Sequence, residues 1–166
     1  MHFPTKSIIR YLFVVLLGIF LHFAYQLSGE NLIVGLFATV NESIWEHLKL
    51  VFYPMLVLTL WDLFTTQNND TPFLISRTKG TLAGILFVIV VYYTVTGIIG
   101  TNIDWINITV YLLAMAFVFW TERKSQFKHS RLTIRAVALI WLLFIILFTI
   151  FTLTPPTLGI FIPPTL

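Results

Sequence analysis

Five long apolar runs constrain this chain more than any other feature. A helix that crosses a bilayer needs about 20 mostly apolar residues, and Ile8–Leu27, Ile44–Phe64, Gly80–Gly100, Trp105–Thr121 and Leu132–Leu153 all meet or approach that length. The runs fill most of the 166 residues, so the expectation is a single integral membrane domain over 1–166, an all-α bundle of five transmembrane helices. Composition agrees: 10% of residues are charged, against about 25% in a soluble domain, and the mean hydropathy is +0.91. The absence of cysteine removes disulfides, thiolate metal centres and thiol catalysis together.

The net charge of +3 carries topology, not nucleic-acid binding, because the basic residues collect in the short connections. Lys6 and Arg10 stand at the head of the first run and Arg77 and Lys79 ahead of the third. Arg123, Lys124, Lys128, Arg131 and Arg135 cluster between the fourth run and the start of the fifth. The opposite side carries Glu30, Glu42, Glu46 and Asp104, with Lys49 as its basic residue. The positive-inside rule then places the N-terminus in the cytoplasm and the C-terminus outside. The first run is too long for a signal-peptide core and no A-x-A-like site follows, so it reads as an uncleaved anchor.

Two apolar segments are too short or too broken to cross. Residues 31–40 (NLIVGLFATV) are expected to lie along the outer surface or re-enter slightly. The tail from Thr154 carries two Pro-Pro pairs, which favour extended geometry, and is expected to fold back over the outer mouth of the bundle. Gly80 and Gly84 form a G-x-x-x-G that signals close helix packing.

The chemistry concentrates in Val40–Pro54, VNESIWEHLKLVFYP. On a helix, Glu42, Glu46, Lys49 and Tyr53 share one face, and Ser43 and His47 form a second i, i+4 pair about 100° around. Lys49 lies roughly two turns into the span, where an unpaired charge is costly, so it needs Glu46 as partner. Thr39-x-x-Glu42 and Ser43-x-x-Glu46 both match the capping box, which offers a purely structural role for one glutamate. Two glutamates one turn apart repel, however, and require a cation, a proton or Lys49 between them.

The first run brings His22, Tyr25 and Gln26 to the same depth, with Glu30 just beyond. Ionisable groups inside a membrane face the bundle or a wet cavity and mark a site. Candidate ligand-binding or proton-relay residues are therefore Glu42, Glu46, His47, Lys49, His22, Tyr25 and Asn41. By ligand type His22, His47, Glu42 and Glu46 suit a divalent metal, although neither H-E-x-x-H nor E-x-x-H is present. Ser43 beside His47 lacks the G-x-S-x-G or S-x-x-K context of a nucleophile. The leading expectation is an outward-facing polar pocket for a small solute or ion, in a transport role. The alternatives are a metal-dependent enzyme at the outer leaflet and a non-catalytic accessory or immunity-type protein. Partners expected are the lipid bilayer and a homo-oligomer or partner membrane protein, with no nucleic acid.

VNESIWEHLKL followed by proline, after a His- and Tyr-containing first span, resembles a family of small bacterial integral membrane proteins of unknown function. Its V-N-E-S-x-W-E-H-x-K core maps onto Asn41, Glu42, Ser43, Trp45, Glu46, His47 and Lys49, and its late Pro-Pro motif onto Pro155 and Pro156. The family pattern continues into an Asp-Pro where this chain has Ile162-Pro163-Pro164. The resemblance implies a multi-pass protein of the bacterial cytoplasmic membrane and no established activity, substrate or cofactor.

Overall fold

The computed structural model describes residues 5–65, 71–125 and 134–164. Five long helices organise them: α1 (Thr5–Leu27), α3 (Ile44–Thr65), α4 (Thr71–Ile99), α5 (Asp104–Ser125) and α6 (Ile134–Leu153). Each is long and apolar enough to cross a membrane. A one-turn helix, α2 (Leu32–Gly35), lies between α1 and α3, and a single 3-10 turn, Gly159–Phe161, follows α6. No strand occurs among the described residues.

α3 is the axis of the bundle. It touches α1, α4, α5, α6 and the 3-10 turn, and its residues from Leu48 to Met55 are all buried. The Phe52 ring packs at a tilt against Trp141 at 5.1 Å and Phe148 at 5.3 Å, closing α6 onto this axis. The outside is apolar instead: Leu16, Phe20, Phe64, Ile98 and Leu139 are all exposed. A surface so rich in large hydrocarbon side chains suits acyl chains as solvent, not water.

Local sequence explains the close approaches. A Cβ on Gly80 would lie 2.7 Å from the Val118 carbonyl, and one on Gly84 would overlap the Val118 side chain. The G-x-x-x-G is therefore the seam that lets α4 and α5 meet backbone to backbone. Gly18 plays the same part for α1: its missing Cβ leaves room for the Tyr111 hydroxyl and sits beside the Leu50 carbonyl. That carbonyl is the one released from the helical ladder by Pro54, four residues on.

Four expectations change at the element boundaries. α4 begins at Thr71 rather than at residue 80, so Arg77 and Lys79 lie inside a helix and not in a connection. Arg77 is 1% exposed, a burial made tolerable by carboxylates from two neighbouring helices. α5 extends to Ser125, which carries Arg123 and Lys124 on its last turn, where cations complement the helix dipole. α3 starts at Ile44, which leaves Glu42 off the helix and breaks the proposed Glu42–Glu46 stripe. The tail is extended at its proline pairs but makes one 3-10 turn between them, and Phe161 in that turn packs on Trp45 at 4.9 Å and Phe151 at 5.0 Å. Lys128 and Arg131 lie outside the described residues.

Segment 31–43 re-enters the bundle. Gly29 and Glu30 take left-handed backbone conformations (φ +69° and +63°) and turn the chain away from α1. The Asn31 side chain then caps α2, accepting from the amides of Ile33 (2.9 Å) and Val34 (3.4 Å). Beyond α2, Ala38, Thr39 and Ser43 are buried. What draws this arm inward is a side chain on α3.

Candidate functional site at the Glu46 end of the bundle

Lys49 is 0% exposed and directs its ammonium at three acceptors. It donates to Glu46 Oε2 at 2.7 Å, to the Gly35 carbonyl at 2.8 Å and to the Ala38 carbonyl at 3.1 Å. An ammonium has three protons, so its donor capacity is used in full. Two of the acceptors belong to the last turn and exit of α2, where carbonyls lack helical partners. Lys49 thus caps α2 from the side and neutralises Glu46.

Glu46 is as fully occupied. Its Oε2 also accepts from the Val40 amide at 3.0 Å, and its Oε1 accepts from the Thr152 hydroxyl of α6 at 2.9 Å. The capping box forms only in part. The Ser43 hydroxyl accepts from the Glu46 amide (3.4 Å), but the Glu46 carboxylate reaches Val40 and Lys49, while the Ser43 amide donates to Asn41 Oδ1 at 2.9 Å. Thr39 does not cap; its hydroxyl donates to the His22 carbonyl at 3.0 Å. The Glu46–Lys49 pair therefore pins α2, the arm, α3 and α6 together and turns no free ligand atom outward.

A second group sits closer to the surface. His22 of α1, Glu42 of the arm and His47 of α3 each offer one ligand atom, and the three atoms lie within 4.8 Å of one another. The His47 and Glu42 side chains are 25% and 63% exposed, so this group is open to the medium where Glu46–Lys49 is closed. His47 Nε2 lies 3.3 Å from Glu42 Oε2, and the two imidazole rings are 5.3 Å apart. The hydrogen bond from His47 holds the Glu42 carboxyl below the usual carboxylate range, and the charges of both histidines act the same way.

The expected residues thus divide. His22, Glu42 and His47 come together as a cluster, and Glu46 and Lys49 as a buried pair. Asn41 acts as a turn residue through its bond from the Ser43 amide. The Tyr25 ring lies against Gly35, where a Cβ would be 3.0 Å away, and so supports α2. Tyr53 packs edge-on against Phe37 at 5.2 Å. Ser43 forms no nucleophile pair with His47: the imidazole bonds the Ser43 backbone carbonyl at 2.9 Å, and the buried hydroxyl serves the Glu46 amide.

Sequence reasoning missed a second charge cluster, at the other end of α3. Asp62 accepts from Arg10 of α1 at 2.7 Å and from Arg77 of α4 at 2.8 Å. Arg77 Nε in turn lies 3.1 Å from Glu122 of α5, and its guanidinium covers the Phe73 ring at 5.0 Å. Four helices are tied by these four side chains. By sequence, Arg10 and Arg77 read as topology markers alone. The signal available was that Asp62 and Glu122 stand at the same ends of their helices as the two arginines.

The chain belongs to a family of unknown function (DUF6512), whose model matches residues 3–164. No curated protein and no solved structure matches it.

Proposed function

We propose that this member of DUF6512 is a multi-pass membrane protein whose His22–Glu42–His47 end faces outward and binds a small solute or ion. One observation carries the reading: three ionisable side chains from α1, the arm and α3 converge within 4.8 Å and keep access to the medium. Interior ionisable groups in membrane bundles are costly and typically functional. Here the structural need for charge is already met one turn deeper by Glu46 and Lys49. The outer trio makes no hydrogen bond to that pair's carboxylate or ammonium.

The side of the membrane follows from the basic residues. Arg10, Arg77, Arg123 and Lys124 lie towards the Asp62 end, which the positive-inside rule assigns to the cytoplasm. Carriage across the membrane by five helices needs a second copy or a partner subunit, since alternating access is built from repeats moving against each other. Native mass spectrometry of the chain released from detergent tests the binding: a small molecule or ion should accompany the wild type and be lost from His47→Ala with Glu42→Gln. Retention of the same species by the double variant would refute the pocket. A reporter joined after Pro164 should read as external; a cytoplasmic signal would reverse the orientation.

A further inference from the structure

The way the two imidazoles are held says which atoms face the pocket, and this points beyond a generic ligand. A backbone carbonyl only accepts, so the 2.9 Å contact between His47 Nδ1 and the Ser43 carbonyl places a proton on Nδ1. The other ring nitrogen, Nε2, is the one that lies 3.3 Å from Glu42, and it becomes a ligand atom once an incoming cation displaces its proton. His22 is oriented by the same logic. The Thr39 hydroxyl gives its proton to the His22 carbonyl at 3.0 Å, so the oxygen facing His22 Nδ1 at 3.5 Å is an acceptor. Histidines that bind metals characteristically donate their other ring N–H to a carbonyl, carboxylate or hydroxyl oxygen, which sets the tautomer and aims the ring. Both members of this pair have that arrangement.

We infer that His22 Nε2, His47 Nε2 and a carboxylate oxygen of Glu42 bind one divalent ion of the zinc type at the mouth of the bundle. This rests on the reading of that end as a ligand pocket. Two imidazoles and one carboxylate match the borderline character of such an ion, and three protein ligands leave a position for solvent or substrate. Bonds of about 2.0–2.2 Å in a tetrahedron put ligand atoms about 3.4 Å apart. The His47–Glu42 pair already stands at 3.3 Å, and each of the three residues offers a ligand atom, an imidazole nitrogen or a carboxylate oxygen, within 4.8 Å of the other two. Closing on the ion therefore needs a shift of about an ångström, chiefly from His22 or from the Glu42 loop, which is the exposed member. Glu46 is excluded from the ligand set because Val40, Lys49 and Thr152 already occupy both of its oxygens.

Zinc chloride added to the detergent-purified, chelator-stripped full chain tests the assignment, read by equilibrium dialysis with elemental analysis. One zinc per chain is expected for the wild type and for Asp104→Asn. Thr39→Val, which removes the oxygen facing His22, should weaken zinc by about 10–100-fold. His22→Ala, His47→Ala and Glu42→Gln should each weaken it further. Should either alanine variant fail to fold, Glu42→Gln decides the matter, since its side chain is 63% exposed and lies outside the helices. Zinc that binds equally to Glu42→Gln and Thr39→Val overturns the assignment. A wild type that takes up no zinc but retains another small molecule, lost with His47→Ala, overturns the metal while leaving the pocket. A wild type that retains neither sinks both.

Discussion

Arg77 of α4 and Asp62 of α3 meet at 2.8 Å with side chains 1% and 2% exposed. The same guanidinium forms an ion pair with Glu122 of α5, Nε to Oε1 at 3.1 Å. One flat cation thus faces two carboxylates on two helices. A lysine has a compact ammonium on a flexible stem and cannot present two edges of a rigid fork.

Removing that fork leaves Glu122 in the interior without its cation, and a buried pair broken on one side costs about 3–5 kcal/mol. Arg77→Met is expected to destabilise by that order, and Arg77→Lys to restore only part of the loss. Thermal unfolding in detergent, followed by circular dichroism, measures both. An Arg77→Lys variant as stable as the wild type would show that the second carboxylate contributes nothing.

The same rule applies at the opposite end. Lys49→Met removes the ammonium from Glu46 and from the Gly35 and Ala38 carbonyls. A loss of about 3–5 kcal/mol is expected for the single variant, and a smaller one when Glu46→Leu accompanies it, because no charge is then left uncompensated. Additive losses in a double-mutant cycle would contradict the coupling.

Gly18 and Gly84 tolerate no side chain of any size. Gly18→Ala drives a methyl towards the Tyr111 hydroxyl and to about 2.9 Å from the Leu50 carbonyl. A cost of about 1–3 kcal/mol is expected from overpacking. Gly97→Ala, which meets nothing within 4 Å, should be neutral or slightly stabilising in its helix. The contrast between the two, measured by the same unfolding assay, checks the α1–α5 contact.

Acid should loosen the mouth of the bundle. The Glu42 carboxyl is held below its ordinary value of 4.5 by the hydrogen bond from His47. A carboxylate whose folded pKa is depressed contributes its stability above the unfolded value and loses it as the pH falls through the folded one. Unfolding temperatures should therefore drop in the wild type as the pH falls below the ordinary value of 4.5, and less steeply in Glu42→Gln. Equal slopes would show that the bond has no weight.

Much of this architecture was legible from period and length alone. The spans at 44–64 and 132–153 come within two residues of α3 and α6, because their boundaries coincide with polar or proline-rich sequence. α4 was not, since Arg77 and Lys79 look like loop residues until the carboxylates opposite them are known. The Lys49–Glu46 pair was readable because the two lie one turn apart on a single helix. The trio of His22, Glu42 and His47 was readable as a set of residue types at one depth. Its separation from Glu46 was not, because it depends on α3 starting at Ile44 and leaving Glu42 on the arm. Trp141 lies in mid-span, and its indole N–H bonds Thr78 at 2.8 Å, a pairing of residues 63 positions apart that no local pattern announces.

The ammonium of Lys49 also dictates how this protein can breathe. The stretch around Gly35 and Ala38 cannot swing away without stranding a cation in a dry interior, so the ammonium holds that part of the rim in place. Glu42, four residues further along, bears no such tether to Lys49. The histidines are thus bordered by one short stretch, Val40 to Ser43, whose backbone is anchored separately, through Glu46 at Val40 and Asn41 at Ser43.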